Sequence, residues 1–188
     1  MYITIKNLLD KVFSLILLII LIPLFLVVSL LMKILDPGPI FYKQQRVGKD
    51  EKIFLIYKFR TMIVNADKVG PVLTQDNDPR ITKLGKFLRH SSIDELPQLI
   101  NVLKGEMSII GPRPEVPSIV ETYNDIQRQV FKVKPGITGW AQVHGRDSLS
   151  IEEKSVYDIE YINKISFILD FKIFLLTFPA LISREGIN

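Results

Sequence analysis

Apolar positions divide this chain sharply. From Val12 to Met32 no charged residue interrupts 21 positions made mostly of Leu, Ile, Val and Phe. A straight helix of that length extends about 32 Å, enough to cross the hydrocarbon core of a bilayer. The segment is long for the apolar part of a signal peptide, and no small-x-small cleavage pattern follows it. A helix apolar on every side also needs a larger protein around it to serve as a core element. Membrane insertion is the reading these features favour. Pro23 stands in the middle of the segment, where it removes a backbone bond and bends the helix. Lys6 and Lys11 precede the segment and Lys33 follows it, so the positive-inside tendency does not assign its ends to opposite sides. A re-entrant helix that bends at Pro23 and leaves by the face it entered satisfies both observations. A kinked span is the alternative.

Past "DPGPI" (Asp36 to Ile40), a turn that stops the helix, the periodicity changes. Ile40–Val47 and Lys52–Met62 read as β segments around a Gly48-Lys49-Asp50 turn, a hairpin. A loop runs from Asn65 to Asp78. Ile81, Leu84, Phe87 and Leu88 then mark one face of a short helix, with Arg80, Lys83, Lys86 and Arg89 at spacing three on another. Val116, Ile119, Val120, Tyr123, Ile126 and Val130 give a second helical pattern, and Ser150-x-x-Glu153 is a capping box opening a helix toward Asn163. The apolar stretch near the C-terminus is interrupted by Asp170 and Lys172. Its uncharged part, Ile173 to Ile182, extends only about 15 Å as a helix, too short to span. It reads either as an interfacial helix beside the anchor or as a core helix.

Composition narrows the chemistry. The 188 residues suffice for one domain and a short accessory element, and there is no cysteine for a disulfide, a thiolate metal site or a thiol nucleophile. A formal charge of +4, from 24 basic against 20 acidic residues, points weakly to an anionic partner. No DNA- or RNA-recognition motif appears, so nucleic acid is not expected. A membrane surface or a phosphorylated substrate fits better. The adjacent carboxylates Asp94 and Glu95 follow the basic stripe and precede Pro97. Ser92-x-x-Glu95 has capping-box spacing, but with Ser92 as N-cap, Pro97 would clash inside the helix. If the helix starts at Asp94, Pro97 falls in the tolerant first turn and part of Asp94's hydrogen-bonding capacity is unspent. In "GPRP" two prolines limit where Arg113 can point. The glycine-punctuated loop "KPGITGWAQVHGR" offers Trp140, Gln142 and Arg146 as side chains able to meet a ligand.

"IYKFRTM", "DPRITKLGKFLR", "SIDELPQLINVLKGEMSIIGPRPE" and "KPGITGWAQVHGR" together resemble the ordered signatures of bacterial sugar transferases, specifically the small monotopic phosphoglycosyl transferases. The resemblance covers essentially the whole chain and lacks the extra N-terminal transmembrane block of larger relatives, the pattern of a minimal form. It implies transfer of a sugar-1-phosphate from a UDP-sugar to a polyprenyl phosphate, usually undecaprenyl phosphate, with UMP released through a covalent intermediate. It also implies Mg²⁺ and a re-entrant membrane helix. Carried onto this sequence, the family's catalytic dyad is Asp94 and Glu95, with Asp94 the nucleophile and the pair associated with the metal. Where the family commonly has a Ser-Pro helix break, Ile22 precedes Pro23 here.

The residue chemistry agrees. A diphosphate needs its charge neutralised before a carboxylate can approach phosphorus, and Mg²⁺ is often held by one or two carboxylates plus substrate phosphates. A carboxylate nucleophile forming an acyl phosphate is established chemistry. Lys58, Arg60, Arg89, Arg113 and Arg146, with Gln142, are the candidate substrate contacts. His90 is not needed as a general base beside two carboxylates. The expected architecture is α/β and monotopic: residues 1–36 form a re-entrant membrane helix, and residues 37–188 a catalytic domain on the cytoplasmic face of the inner membrane, with a β-hairpin, mainly helical elsewhere, and interfacial helices. Its partners are a UDP-sugar, undecaprenyl phosphate and membrane lipid, with homo-oligomerisation left open. A membrane-anchored scaffold binding anionic lipid without turnover, and direct sugar transfer releasing UDP, are the alternatives.

Overall fold

The computed structural model describes residues 2–71, 75, 78–145 and 148–183. The long apolar segment forms two helices, α1 (Tyr2–Ile20) and α2 (Ile22–Leu35), bent by 58° at Leu21. Pro23 lies in the first turn of α2, where its missing N–H costs little and its ring blocks continuation of α1. The bend therefore forms with isoleucine in the preceding position. Among the described residues no single helix is long and apolar enough to cross a membrane, whereas the bent pair together meets that length and composition.

Helix α1 is built inside out. Lys6, Asp10 and Ser14, spaced by four, face the rest of the protein, while Leu8, Leu9, Ile16, Ile19 and Ile20 face outward, each about half exposed or more. Asp10 accepts a hydrogen bond of 2.5 Å from the Ser108 hydroxyl. Helix α2 buries Val28 and Met32 and leaves Leu26, Leu30 and Ile34 exposed.

The hairpin forms as the alternation predicts. Strands β1 (Phe41–Val47) and β2 (Ile53–Phe59) pair antiparallel, with Phe41 opposite Phe59 and Val47 opposite Ile53. Phe59 fills the junction with α2: Val28, Met32, Phe59 and Leu88 make one core cluster, and the Phe25 ring meets Phe59 edge-on at 5.2 Å. Helix α3 (Lys83–His90) starts on a Thr82 cap, whose hydroxyl accepts from the Gly85 N–H. Gly85 is a contact glycine, since a Cβ there would stand 1.9 Å from the Thr61 carbonyl oxygen. Two expectations fail on α3. Phe87 is exposed rather than core, and Arg80 lies before the helix, bound to Asp78 at 2.6 Å instead of extending the basic stripe.

After α3 the chain makes a short 3₁₀ helix at Ile93–Gln98, then α4 (Leu99–Lys104) and β3 (Ser108–Ile110). The expected helix over 116–130 is broken into α5 (Pro117–Val120) and a 3₁₀ turn at Gln127–Lys132. Asn124 and Gln127 exchange side-chain-to-backbone bonds at the break, a local alternative to the helical ladder, and Ile126 is exposed. Strand β4 (Gly136–Thr138), inside the stretch read as a loop, pairs parallel with β3. Gly136 permits this, because a Cβ there would fall 2.1 Å from the Gly111 nitrogen. Helix α6 (Ile151–Lys164) opens on the predicted capping box, both of whose bonds form.

Helix α7 (Phe167–Ser183) has a buried side, as the core reading expects, and an exposed apolar side. Asp170 and Ile173 are buried, Ile173 in a cluster with Ile110, Trp140 and Tyr161. Phe167, Ile168, Phe171, Leu175 and Phe178 are exposed. Asp170 ties α7 to α1 by accepting from the Tyr2 hydroxyl and pairing with Lys6 at 2.8 Å. The result is a mixed α/β fold, mostly helical, with two two-stranded sheets among the described residues.

Candidate active site

The dyad sits on the 3₁₀ turn, and its backbone is set by Ser92. That residue is left-handed (φ 53°) and makes no side-chain cap bond, so neither capping arrangement forms. The turn accommodates Pro97 inside it and buries Asp94 and Gln98. Asp94 is 8% exposed, and no hydrogen bond reaches its carboxylate from the described residues. Burial first, and the adjacent Glu95 charge second, push its carboxyl up to about 6 against the partial relief from Lys58, Arg89 and Arg113.

Glu95 is its opposite. Lys58 Nζ stands 2.8 Å and Arg113 Nη2 3.0 Å from the same oxygen, Oε1. Burial raises its carboxyl, but these two cations together hold it well below the usual carboxylate range. One carboxylate is thus pinned and ionised, while its neighbour is left uncommitted.

Each cation has a fixed mount. Lys58 comes from β2 opposite Tyr42. Arg113 is held by its flanking prolines: the Pro112 carbonyl accepts from the Gly136 N–H at 2.8 Å and the Pro114 carbonyl from Arg46 Nη1 at 3.0 Å. Arg89 projects from α3, donates from Nε to the Thr61 hydroxyl at 2.9 Å, and acts electrostatically on Asp94 and Glu95. Arg46, which sequence reasoning passed over, is a further cation of the group. It pairs with Glu115 at 3.6 Å and acts electrostatically on Glu95 and Arg113. The strand alternation carried the signal, since it places Arg46 on the face of Gln44, to which it also bonds. Four cations stand around Asp94, Glu95 and the Glu115 carboxylate that Arg46 pairs with, a net positive surplus suited to an anionic diphosphate.

The other sequence candidates lie elsewhere or beyond the described residues. Arg60 donates to the Asp36 carbonyl and secures the end of α2. Trp140 is core, its indole N–H donating to Glu160 at 3.0 Å. Gln142 is buried and lines a pocket with Arg113. Arg146 lies outside the described residues. His90 is exposed on the end of α3.

For a metal, no group of three or more His, Cys, Asp or Glu side chains comes together among the described residues. An all-protein cage is therefore not built here. Two adjacent carboxylates, one of them free of hydrogen bonds, do fit a Mg²⁺ ion that draws its remaining ligands from substrate phosphate and water.

Comparison with known proteins places these features. The family model for bacterial sugar transferases matches residues 1–184. The chain is 46% identical over 151 residues to the uncharacterized sugar transferase EpsL of Bacillus subtilis (strain 168), covering 80% of this chain and 74% of EpsL. It is 44% identical over 187 residues to the UDP-glucose:undecaprenyl-phosphate glucose-1-phosphate transferase of Escherichia coli (strain K12), covering 94% of this chain and 40% of that protein. It is 43% identical over 170 residues to the UDP-N-acetylgalactosamine-undecaprenyl-phosphate N-acetylgalactosaminephosphotransferase of Aeromonas hydrophila, covering 87% of this chain and again 40% of the relative. The chain thus spans well under half the length of the two relatives whose names state a reaction.

Proposed function

The chain belongs to the bacterial sugar transferase family, and on that premise we propose that it is a phosphoglycosyl transferase moving a sugar-1-phosphate from a UDP-sugar to undecaprenyl phosphate. The names of the Escherichia coli and Aeromonas relatives support both substrates. The observation that carries the reading is Asp94, a buried carboxylate without a hydrogen bond from the described residues, beside a surplus of fixed positive charge.

In this reading Asp94 Oδ attacks the phosphorus that bears the sugar. The bond from that phosphorus to the bridging oxygen breaks, and UMP leaves with the bond's electron pair. The phosphosugar is then an acyl phosphate on Asp94. A polyprenyl phosphate oxygen attacks the same phosphorus, and the carboxylate is regenerated. No proton need be moved in either half, which agrees with the absence of a role for His90. Glu95 and Asp94 would hold Mg²⁺, whose charge on the diphosphate lowers the repulsion an incoming carboxylate meets. Lys58 and Arg113 keep Glu95 ionised and oriented, and Arg89 adds charge on the Asp94 side. Phosphoryl transfer depends mainly on such positioning and charge stabilisation. Incubating the full-length protein with undecaprenyl phosphate and a panel of UDP-sugars should release UMP; release of UDP, or of no nucleotide with any sugar, would refute the assignment.

The same reading extends to the membrane. The lipid acceptor confines the reaction to a bilayer surface, and the outward apolar faces of α1, α2 and α7 suit insertion there. The α1–α2 pair enters and leaves by the cytoplasmic face of the inner membrane, with α7 lying in the interface beside it. Single cysteines at Ile3 and Lys33 should be labelled from the same side of sealed vesicles. Labelling from opposite sides would mean a span.

A further inference from the structure

Beyond Arg113, away from the dyad, lies a pocket that the transfer step does not use. Glu115, Tyr123, Gln142 and Asp158 line it together with Arg113. Gln142 is 5% exposed and Asp158 8%. Both polar atoms of the Gln142 amide, and Oδ1 of Asp158, are buried with no hydrogen-bond partner. Native interiors rarely leave such groups unmet, and three on one pocket's lining mark a place where polar atoms from outside the protein, of a ligand or of water, complete the bonding.

We propose that this pocket receives the hexose of the nucleotide-sugar donor, with Gln142 and Asp158 reading its hydroxyl groups; the proposal rests on the phosphosugar-transfer reading above. Two arguments select the hexose over the nucleobase. The first is position. Arg113 belongs to both the pocket and the Glu95 ion pair. In a UDP-sugar the hexose hangs from the attacked phosphorus through one oxygen, whereas the base lies beyond a second phosphate and a ribose. A pocket sharing a wall with the dyad is within reach of the hexose.

The second is bonding sense. The pocket offers donors in Arg113, Lys154, Tyr123 and Ser155 beside acceptors in Glu115, Asp158 and the Gln142 carbonyl oxygen. Each hexose hydroxyl both donates and accepts, so one ring can meet both kinds of group, whereas uracil supplies one N–H and two carbonyl oxygens. Tyr123, Val130 and Ile151 give the pocket an apolar wall, suited to the C–H face of a pyranose ring. Burial, with the Glu115 charge added, pushes the Asp158 carboxyl up to about 7, and hydroxyl donors would stabilise its ionised form.

The test is equilibrium binding to the full-length protein, comparing UDP with UDP-glucose, UDP-galactose, UDP-N-acetylglucosamine and UDP-N-acetylgalactosamine. Gln142→Ala and Asp158→Asn should each weaken the best-bound UDP-hexose by about tenfold, the loss of one or two hydrogen bonds. The same variants should bind UDP within twofold of wild type and change the ranking among the four sugars. Thermal melting identifies a variant that fails to fold, and the other variant then carries the test. Equal weakening of UDP and UDP-hexose would make this a nucleotide pocket, and no change in either would make it merely hydrated; each result overturns the proposal. Failure of the transfer reading registers separately, as a wild type that binds UDP-hexose and yields no UMP.

Discussion

Asp170 and Asp94 are both buried aspartates, and their surroundings could hardly differ more. Asp170, 5% exposed, accepts from the Tyr2 hydroxyl at 2.5 Å and the Tyr161 hydroxyl at 2.8 Å, and pairs with Lys6 at 2.8 Å. Every demand of the buried charge is met within the protein, and the bonds join α1, α6 and α7. Asp94 has cations near it but no hydrogen bond from the described residues, and its neighbour Glu95 takes the two nearest ion pairs. A buried charge that is satisfied holds a fold together, whereas one left unsatisfied stays available for chemistry. Fold stability should therefore live at Asp170, and turnover at Asp94.

The comparison breaks most visibly if the two roles are exchanged. Asp94→Asn keeps the shape and should lower turnover by at least about a thousandfold, as expected for loss of an attacking atom. Its melting temperature should stay near that of wild type. Asp170→Ala should do the reverse, costing about 3 kcal/mol by leaving Lys6 with only the longer Asp10 pair and the Tyr2 hydroxyl without its acceptor. The protein that remains folded should turn over normally. Chemical denaturation and UMP release on both variants measure the two effects side by side.

A smaller effect sharpens the electrostatics. The folded carboxyl of Asp94 titrates near 6, above its ordinary 3.8, so the folded state holds the extra proton between those values. Its contribution to stability therefore falls as pH rises through that window, while the attacking carboxylate appears. Glu95, held below its ordinary value, contributes stability that is lost only as pH falls through its lowered value. The metal-free enzyme's binding-limited pH profile should accordingly show Asp94 ionising near 6. Lys58→Met removes one of the cations that lowers it, so the limb should move to higher pH. An NMR titration of the labelled aspartate in both proteins reads the shift directly, and movement toward lower pH would contradict the assignment.

Local signals were legible in the sequence, and contacts between distant segments were not. Pro23 broke the apolar helix, the alternation around Gly48 gave the hairpin, and the Ser150 capping box opened α6. Each depends on residues a few positions apart. The parallel β3–β4 pairing joins two three-residue strands some 28 positions apart, too short for any periodicity to show. Lys58 and Arg113 could be named as cations, but their convergence on one oxygen of Glu95 requires a strand and a proline-flanked turn to meet. Asp158 sits within the helix that the Ser150 capping box opens, with no local signal to set it apart. Only the folded pocket shows that its Oδ1 lacks a partner. The Ser92 capping box, which Pro97 argued against, does not form: the backbone there is left-handed and its side chain makes no cap bond.

A single-turnover measurement reads the availability of Asp94 without the second substrate. The full-length protein is mixed with a UDP-sugar that it turns over, in the absence of any polyprenyl phosphate, then quenched rapidly and digested for mass spectrometry. The account predicts up to one equivalent of UMP per protein and a phosphosugar adduct on the peptide containing Asp94, absent from Asp94→Asn. Release of UMP only when lipid acceptor is present, with no adduct on that peptide, would show that the lipid phosphate attacks the sugar's phosphorus directly.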